Sequence, residues 1–346
     1  MSRIEEIDRN FAAPGTVDLP DGRFLNAQKA PFAIYGVYYE NGRFRRMPED
    51  VAKQVNVGVR DQHTHTAGGR VRFCTDSPYV AIHAEMPQIS RMPHFALTGS
   101  AGFDLYAGNV YAGTFVPPMD MERGYESVLW LPEGKKEITV HFPLYSGVSD
   151  LYIALKNGCI LEPPAPYRDT PPVVYYGSSI TQGGCAARPG MAYQNIVSRA
   201  LNVDHINLGF SGSAKGEDAM AAYIAGLAMR AFVFDYDHNA ESPEMLAATH
   251  QRMFETVRTA QPTLPILIMS RPKFTLDADE RRRLDIITKT YEAAKAAGDK
   301  NVYLLDGPTL MALAGNEGTV DNCHPNDLGF YSMAMAVEKV LRDILG

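Results

Sequence analysis

The 346-residue chain is poor in cysteine: Cys74, Cys159, Cys185 and Cys323 stand far apart with no CxxC pair. That excludes a disulfide framework and a Cys-based zinc site, and leaves four free thiols in a reducing compartment. Excess positive charge is also missing. Net charge is −7 and the pI is near 5.7, so phosphate backbones and anionic lipid surfaces are repelled on average, and neither nucleic acid nor membrane is an expected partner. No apolar run approaches the eighteen or so residues of a membrane span. The opening MSRIEEIDRN has acidic residues and no apolar core, unlike a secretory signal, which leads us to expect a cytoplasmic protein. Internal repeats and low-complexity segments are lacking too. What remains is a globular composition, 45% hydrophobic and 21% charged, long enough for two domains.

The two halves are written differently. After an N-terminal extension, residues 30–160 read as short β-prone runs broken by Gly, Pro and Asp: GRVRFCT, YVAIHAEM, FDLYAGNVYAGTFVP, ESVLWLP, KEITVHFPL and LYIALKNG. Asn41-Gly42, between two such runs, signals a tight hairpin. Only a short helical turn is expected, near Pro48–Lys53. The pattern predicts a domain over 1–160 built as an antiparallel sandwich of jelly-roll type. LEPPAPYRDTPP, residues 161–172, has five prolines in twelve residues; proline lacks the amide donor, and the segment reads as a linker. From 173 to 346 five apolar runs (VVYYG, HINLGF, AFVFDYD, PILIMS, NVYLLD) alternate with amphipathic helical stretches, the last from about Pro325. This predicts an α/β domain with a five-stranded parallel sheet covered on both faces.

Open parallel sheets gather functional groups beyond the carboxyl ends of their strands. The loops there carry Ser178, Ser179 and Thr181; Gly209, Ser211 and Gly212; His238 and Asn239; Arg271 and Lys273; and Asp321 and His324 in VDNCHPNDLG. A hydroxyl nucleophile needs a base, the base an orienting acceptor, and the developing oxyanion a set of donors. All of these types are present. Asp321 and His324, three apart at the entry to a helix, can pair so that one ring nitrogen faces a serine, and Pro325 suits the first helical position.

These segments resemble the blocks of the SGNH or GDSL-like hydrolase superfamily. GSSITQG resembles the first block, INLGFSG the second, FDYDHNA stands at the third, and DNCHPN matches the Asp-x-x-His-Pro of the fifth. Four blocks in order cover the second half. The resemblance implies a flavodoxin-like SGNH sheet, Ser179 as nucleophile, His324 as base and Asp321 as its orienting acid. It also implies an oxyanion hole from the amides of Ser179 and Gly212 and the side chain of Asn239. Two positions depart from the pattern: Ser178 replaces the usual aspartate, and the third block reads Asp237-His238-Asn239-Ala240 without its glycines.

Each residue has a plainer reading. A Ser-Ser pair at a strand–helix junction is commonly a cap, Asp321 alone a turn residue, and Gly209 a tight-turn glycine. His238 is a competing base or a pocket-lining group; Arg271 and Lys273 are candidate substrate contacts, as is Arg188, or solvated loop charges. Cys185 and Cys323 read as packing residues. His63 and His65 have ligand-like spacing on one strand face but lack a third ligand, so neither metal nor cofactor is expected. Trp130, the single tryptophan, reads as core and Tyr145 as a domain-interface residue.

The expected activity is a metal-independent serine esterase acting through an acyl-enzyme. A β-sandwich ahead of an SGNH domain is similar to family-two carbohydrate esterases, which implies an O-acetylated carbohydrate as substrate. No apolar lid or interfacial helix precedes the site, as a lipase would require. The alternatives are a lysophospholipase or thioesterase, and a non-catalytic carbohydrate-binding protein on the same scaffold. Oligomeric state is left open.

Overall fold

The structure is a computed structural model that describes residues 4–8 and 17–346. The N-terminal extension expected ahead of the sandwich thus falls partly outside the described residues. The first half is the expected sandwich. One four-stranded antiparallel sheet runs in the order Gly22–Asn26, Asp150–Lys156, Tyr79–Glu85, Gly124–Trp130. The other runs Leu161–Glu162, Arg70–Thr75, Lys136–His141, Phe103–Ala107, Val110–Phe115, with Ala33–Tyr35 also pairing Arg70–Thr75. Inward-pointing residues of both sheets, among them Val71, Phe73, Val80, Ile82, Val140 and Ile153, form one dry core. The Asn-Gly hairpin joins Tyr38–Glu40 to Arg43–Arg45, with φ of 50° at Asn41 and 76° at Gly42, the left-handed pair such a turn needs.

Two local expectations are corrected. Trp130 is 68% exposed: it ends an edge strand in which Tyr125 and Leu129 take the core-facing phase, leaving even-numbered positions outward. The helical turn near Pro48–Lys53 is Glu49–Val55, and a second helix follows at once, Val57–Gln62. Asn56 starts it by accepting from the Val59 amide.

The second half is a parallel sheet of β1 (Asp169–Gly177), β2 (Val203–Gly209), β3 (Ala231–Asp235), β4 (Ile266–Met269) and β5 (Val302–Leu305), in the order 2-1-3-4-5. Helices α1 (Tyr193–Leu201), α2 (Asp218–Ala225), α3 (Pro243–Ala260), α4 (Ala278–Ala296) and α5 (Asp327–Leu345) cover it. Val173 and Tyr175 pack on one face with α1 and α5, while Val174 and Tyr176 pack on the other with α2 and α3. The central strands β1, β3 and β4, buried on both faces, have no polar phase and read as near-continuous apolar runs, whereas the edge strand β2 carries Asp204, His205 and Asn207. Helix α5 begins two residues after Pro325, with the Asn326 side chain accepting from the Gly329 amide as its N-cap.

The proline-rich segment is not a free spacer. Leu161–Glu162 pairs with Arg70–Thr75, and β1 already begins at Asp169. Proline is tolerated there because both pieces lie at sheet edges or strand starts. Between them Tyr167 is buried, its ring edge-on to Tyr35 and under the guanidinium of Arg72. Ala67, Phe95, Leu144 and Tyr145 of the first half join the core of the second, so the two halves pack as one body.

Candidate active site

The strand β1 ends on Gly177, whose backbone lies against the Asp235 carbonyl so closely that a Cβ would sit 2.1 Å from that oxygen. The chain then turns into a single helical turn, Ser179–Gln182. Ser178 is the cap: its Oγ accepts from the Ile180 amide at 3.2 Å, and its own amide donates to Asp235 O. The plain reading of a serine cap thus belongs to Ser178, and the Ser179 hydroxyl is released from that duty. Ser179 Oγ lies 2.9 Å from His324 Nε2.

His324 is oriented by its own loop. Its Nδ1 is 2.8 Å from Asp321 Oδ2, and its amide donates to Asp321 Oδ1 at 2.7 Å, as does the Cys323 amide at 3.1 Å. A carboxylate can only accept, so Nδ1 carries the proton and the lone pair on Nε2 faces the serine. Partial burial works to raise the Asp321 carboxyl, but these hydrogen bonds outweigh it and bring its pKa down to about 2. Asn322 takes a left-handed φ of 65° to make so tight a loop, and Lys273 Nζ ties the loop down by donating to Asn322 O at 2.9 Å.

The expected oxyanion donors lie in loops at the carboxyl ends of adjacent strands β1, β2 and β3. Among the described residues the amides of Ser179 and Gly212 donate to no protein acceptor, and Gly212 has the left-handed φ of 64°. The loop before it is pinned: Ser211 N donates to Gln182 Oε1 at 3.0 Å, while Gln182 Nε2 donates to Leu144 O and meets His65 Nδ1. Asn239 uses one amide proton on Phe210 O at 2.9 Å, which leaves its second free. Gly209 is not a tight-turn glycine. It allows close approach, because a Cβ there would lie 2.2 Å from Gln182 N.

Several candidates are engaged elsewhere. Arg271 forms a bidentate pair with Asp237, Nε to Oδ2 at 3.0 Å and Nη2 to Oδ1 at 3.1 Å, and Lys273 meets Glu280 at 3.3 Å besides Asn322. Both cations hold loops together, because the sequence leaves Asp237 and Glu280 buried and in need of partners. His238 is pushed down to about 3 by desolvation, helped by Arg271; it is neutral, and its Nδ1 faces Cys323 Sγ at 3.6 Å. His63 and His65 do not share a strand face. His63 closes the helix Val57–Gln62 and meets Arg60 O, whereas His65 points inward between Gln88 and Gln182 and is held down to about 3 by burial. Tyr145 does reach the interface, donating to Ser179 O at 3.0 Å.

Two groups of side chains could in principle meet a metal ion: His94, Cys185 and His324, and Asp321, Cys323 and His324, with ligand atoms within 4.8 Å of one another in each. Burial pushes the Cys185 thiol up to about 12 and raises that of Cys323. Both are thiols in the absence of a metal ion, which would have to displace their protons to bind.

Sequence reasoning missed the contribution of the first half to this rim. His94 comes from the sandwich loop between Glu85 and Leu97; its ring centroid is 5.7 Å from that of His324, and its Nε2 is 3.9 Å from Asp321 Oδ2. Arg46, fully buried, donates to the carbonyls of Asn207, Gly209 and Gln62 and stacks on Phe210, fixing the end of β2. Arg188 and the Gly190 amide bind Asp104, which also holds His141 Nδ1 at 2.8 Å. No local signal marks these residues, since each acts on a partner far away in sequence.

A model of the GDSL-like lipase/acylhydrolase family matches residues 170–342, half of the chain. A model described as the N-terminus of SGNH hydrolase-type esterases matches residues 22–161. Among solved structures, a protein described as a GDSL-like lipase from Bacteroides ovatus is 28% identical, with 94% of this chain and 98% of that one covered and a TM-score of 0.83. The salicylyl-acyltransferase SsfX3 of a tetracycline biosynthetic pathway is 21% identical over 95% and 99%, with a TM-score of 0.76. A family-two carbohydrate esterase from Clostridium thermocellum, solved with cellohexaose, is 14% identical over 91% and 99%, with a TM-score of 0.63. No curated protein matches the chain.

Proposed function

From the premise that this chain belongs to the GDSL-like lipase/acylhydrolase family and is an ester hydrolase of the SGNH type, we propose that it removes short acyl groups, acetyl first among them, from an O-acylated carbohydrate. The observation that carries this is the 2.9 Å contact of Ser179 Oγ with His324 Nε2, on a ring whose other nitrogen is held by Asp321.

In this reading Ser179 Oγ attacks the ester carbonyl while His324 Nε2 takes its proton. The negative charge on the carbonyl oxygen is met by the free amides of Ser179 and Gly212 and the free proton of the Asn239 amide. Collapse of the tetrahedral intermediate breaks the ester C–O bond, and His324 returns the proton to the departing alcohol. Water, deprotonated by the same ring, then attacks the acyl-serine and releases the acid. Asp321 stays ionised throughout and stabilises the imidazolium.

A short acyl group and a polar alcohol are supported by what surrounds the serine. The serine meets His324, and His94 and Asp321 lie against that ring, so the groups next to the base are polar.

The test is acetate release from a panel of acetylated oligosaccharides and from an aryl acetate, with Ser179→Ala as control. Turnover should vanish in the variant while its circular dichroism is unchanged. Retained turnover would overturn the assignment of Ser179. A preference for octanoyl over acetyl esters would favour a lysophospholipase or thioesterase, and glycan binding by a wholly inactive wild type would favour a binding protein.

A further inference from the structure

At the seam between the halves, away from Ser179, lies a cavity of about 220 Å³ walled by Arg70, Arg72, His141, Tyr167 and Arg199, with Glu137 at its side. This is smaller than the roughly 300–1,000 Å³ of sites for drug-sized ligands, and it suits a small ion with some water. Its walls belong to different parts of the chain: Arg72 and His141 to the sandwich, Tyr167 to the proline-rich segment, and Arg199 to α1.

The charges do not cancel. Arg70 is neutralised, since its Nη2 pairs with Asp204 and its Nε donates to Tyr167 Oη. Arg72 is different. It is only 8% exposed, yet among the described residues its guanidinium has no hydrogen bond and no ion pair. Its contacts are the faces of Tyr167 and Tyr35, 4.3 and 5.8 Å from the guanidinium carbon, and its Nη1 is buried without an acceptor. Arg199 stacks on Tyr106 and donates Nη2 to Gly190 O, while its Nη1 is likewise buried and without an acceptor.

The nearby titratable groups supply little of the missing charge: Asp104, which attracts Arg199, is already shared by Arg188 and His141. His141 is occupied by Asp104, and burial holds it neutral. Glu137, the single carboxylate on the cavity wall, accepts from the Ala165 amide and pairs with neither arginine. Two guanidinium groups, each with a buried N–H that has no acceptor and each held by an aromatic face, are an uncommon arrangement unless something accepts from them.

We propose that this cavity is an anion site that takes a tetrahedral oxyanion of the phosphate class, clamped between Arg72 of the sandwich and Arg199 of the α/β half. The planar fork of each guanidinium matches two phosphate oxygens. Because the ligands come from both halves, the bound anion ties them together. Helix α1 follows directly on the segment from Gly183 to Ala192 that leaves the nucleophile turn, so the clamp lies one helix away from the site.

The test uses the full chain and inorganic phosphate, followed by titration calorimetry and thermal unfolding, with chloride at matched ionic strength as the control. It requires no turnover, so its outcome is separate from that of the esterase reading. One phosphate should bind per chain and raise Tm by about 2 °C at a free concentration of about ten times Kd. Arg72→Gln should weaken binding at least tenfold, and Arg199→Lys, which keeps the charge but loses the fork, should weaken it less. Glycerol 3-phosphate serves as a second ligand. Tighter binding than phosphate would identify a phosphorylated small molecule as the natural occupant, weaker binding a free ion; either supports the site. No shift beyond the chloride control, or equal shifts in wild type and both variants, would overturn it.

Discussion

Asp321 holds His324 from two directions, one carboxylate oxygen on the ring Nδ1 at 2.8 Å and the other on the backbone amide at 2.7 Å. The first bond sets the tautomer and the second sets the loop. Asp321→Asn keeps the shape but places a donor where the ring needs an acceptor, so the ring turns its proton toward Ser179. We expect kcat to fall roughly 10³–10⁴-fold with the fold intact, measured on an aryl acetate.

The same pair carries a pH prediction. The folded pKa of Asp321, about 2, lies below the ordinary carboxylate value of about 3.9. The contact therefore contributes stability that is present above about pH 4 and is lost as pH falls toward 2. The acid arm of the unfolding curve should be shallower in Asp321→Asn than in wild type, measured by circular dichroism from pH 5 to pH 2.

Gly209 and Gly212 separate two reasons for glycine within one loop. At Gly209 an added Cβ meets backbone, 2.2 Å from Gln182 N and 2.6 Å from Thr181 C, and relief would require moving the nucleophile turn. Gly209→Ala should cost about 3 kcal/mol and most of the activity. At Gly212 no atom lies within 4 Å of the added Cβ, and only the φ of 64° resists, a cost of about 1–2 kcal/mol. Urea unfolding of the two variants distinguishes them.

This contrast marks what could be read in advance. Ser179, Asp321 and His324 stand out because each lies in a short segment whose residue types are set by local demands: a strand end, a tight loop, a helix start. The parallel sheet is legible for a similar reason, since Val173 to Tyr176 are apolar in both phases. Trp130 misleads, because an edge strand permits a large apolar residue on its outer face. Arg46, His94 and the Asp104–Arg188 pair could not be read at all. Their meaning depends on partners distant in sequence, for Arg46 chiefly the carbonyls of Asn207 and Gly209, and nothing in RFRRM or RMPHFAL distinguishes a buried tether from a solvated charge.

Arg46 is therefore the residue whose role is least visible and most open to test. Its guanidinium serves three carbonyls at the end of β2 and beside the helix Val57–Gln62, within a site that excludes water. Arg46→Leu leaves those acceptors unpaired, and we expect a loss of about 2–4 kcal/mol. Because Gly209 leads directly into the Ser211–Gly212 loop, kcat of the folded fraction should fall as well. Activity measured well below the melting temperature separates this from simple unfolding.

Asp235 reverses the usual expectation for a buried carboxylate. It ends β3 with both oxygens buried and without a partner, and burial, with the nearby charge of Asp237, holds its pKa well above the ordinary range despite Arg271. In the folded protein its pKa thus lies above that in the unfolded chain, where it is ionised above about pH 4. The unfolded state therefore binds fewer protons, and folding loses stability as pH rises from there toward the folded pKa. Asp235→Asn has the same shape and no proton to hold. Its extra amide donors carry a cost of their own, but that cost does not change with pH. The diagnostic is consequently the slope: Tm of the variant should gain on wild type as pH rises from about 4 toward the folded pKa. Parallel curves above about pH 4 would mean that folding does not raise the Asp235 pKa.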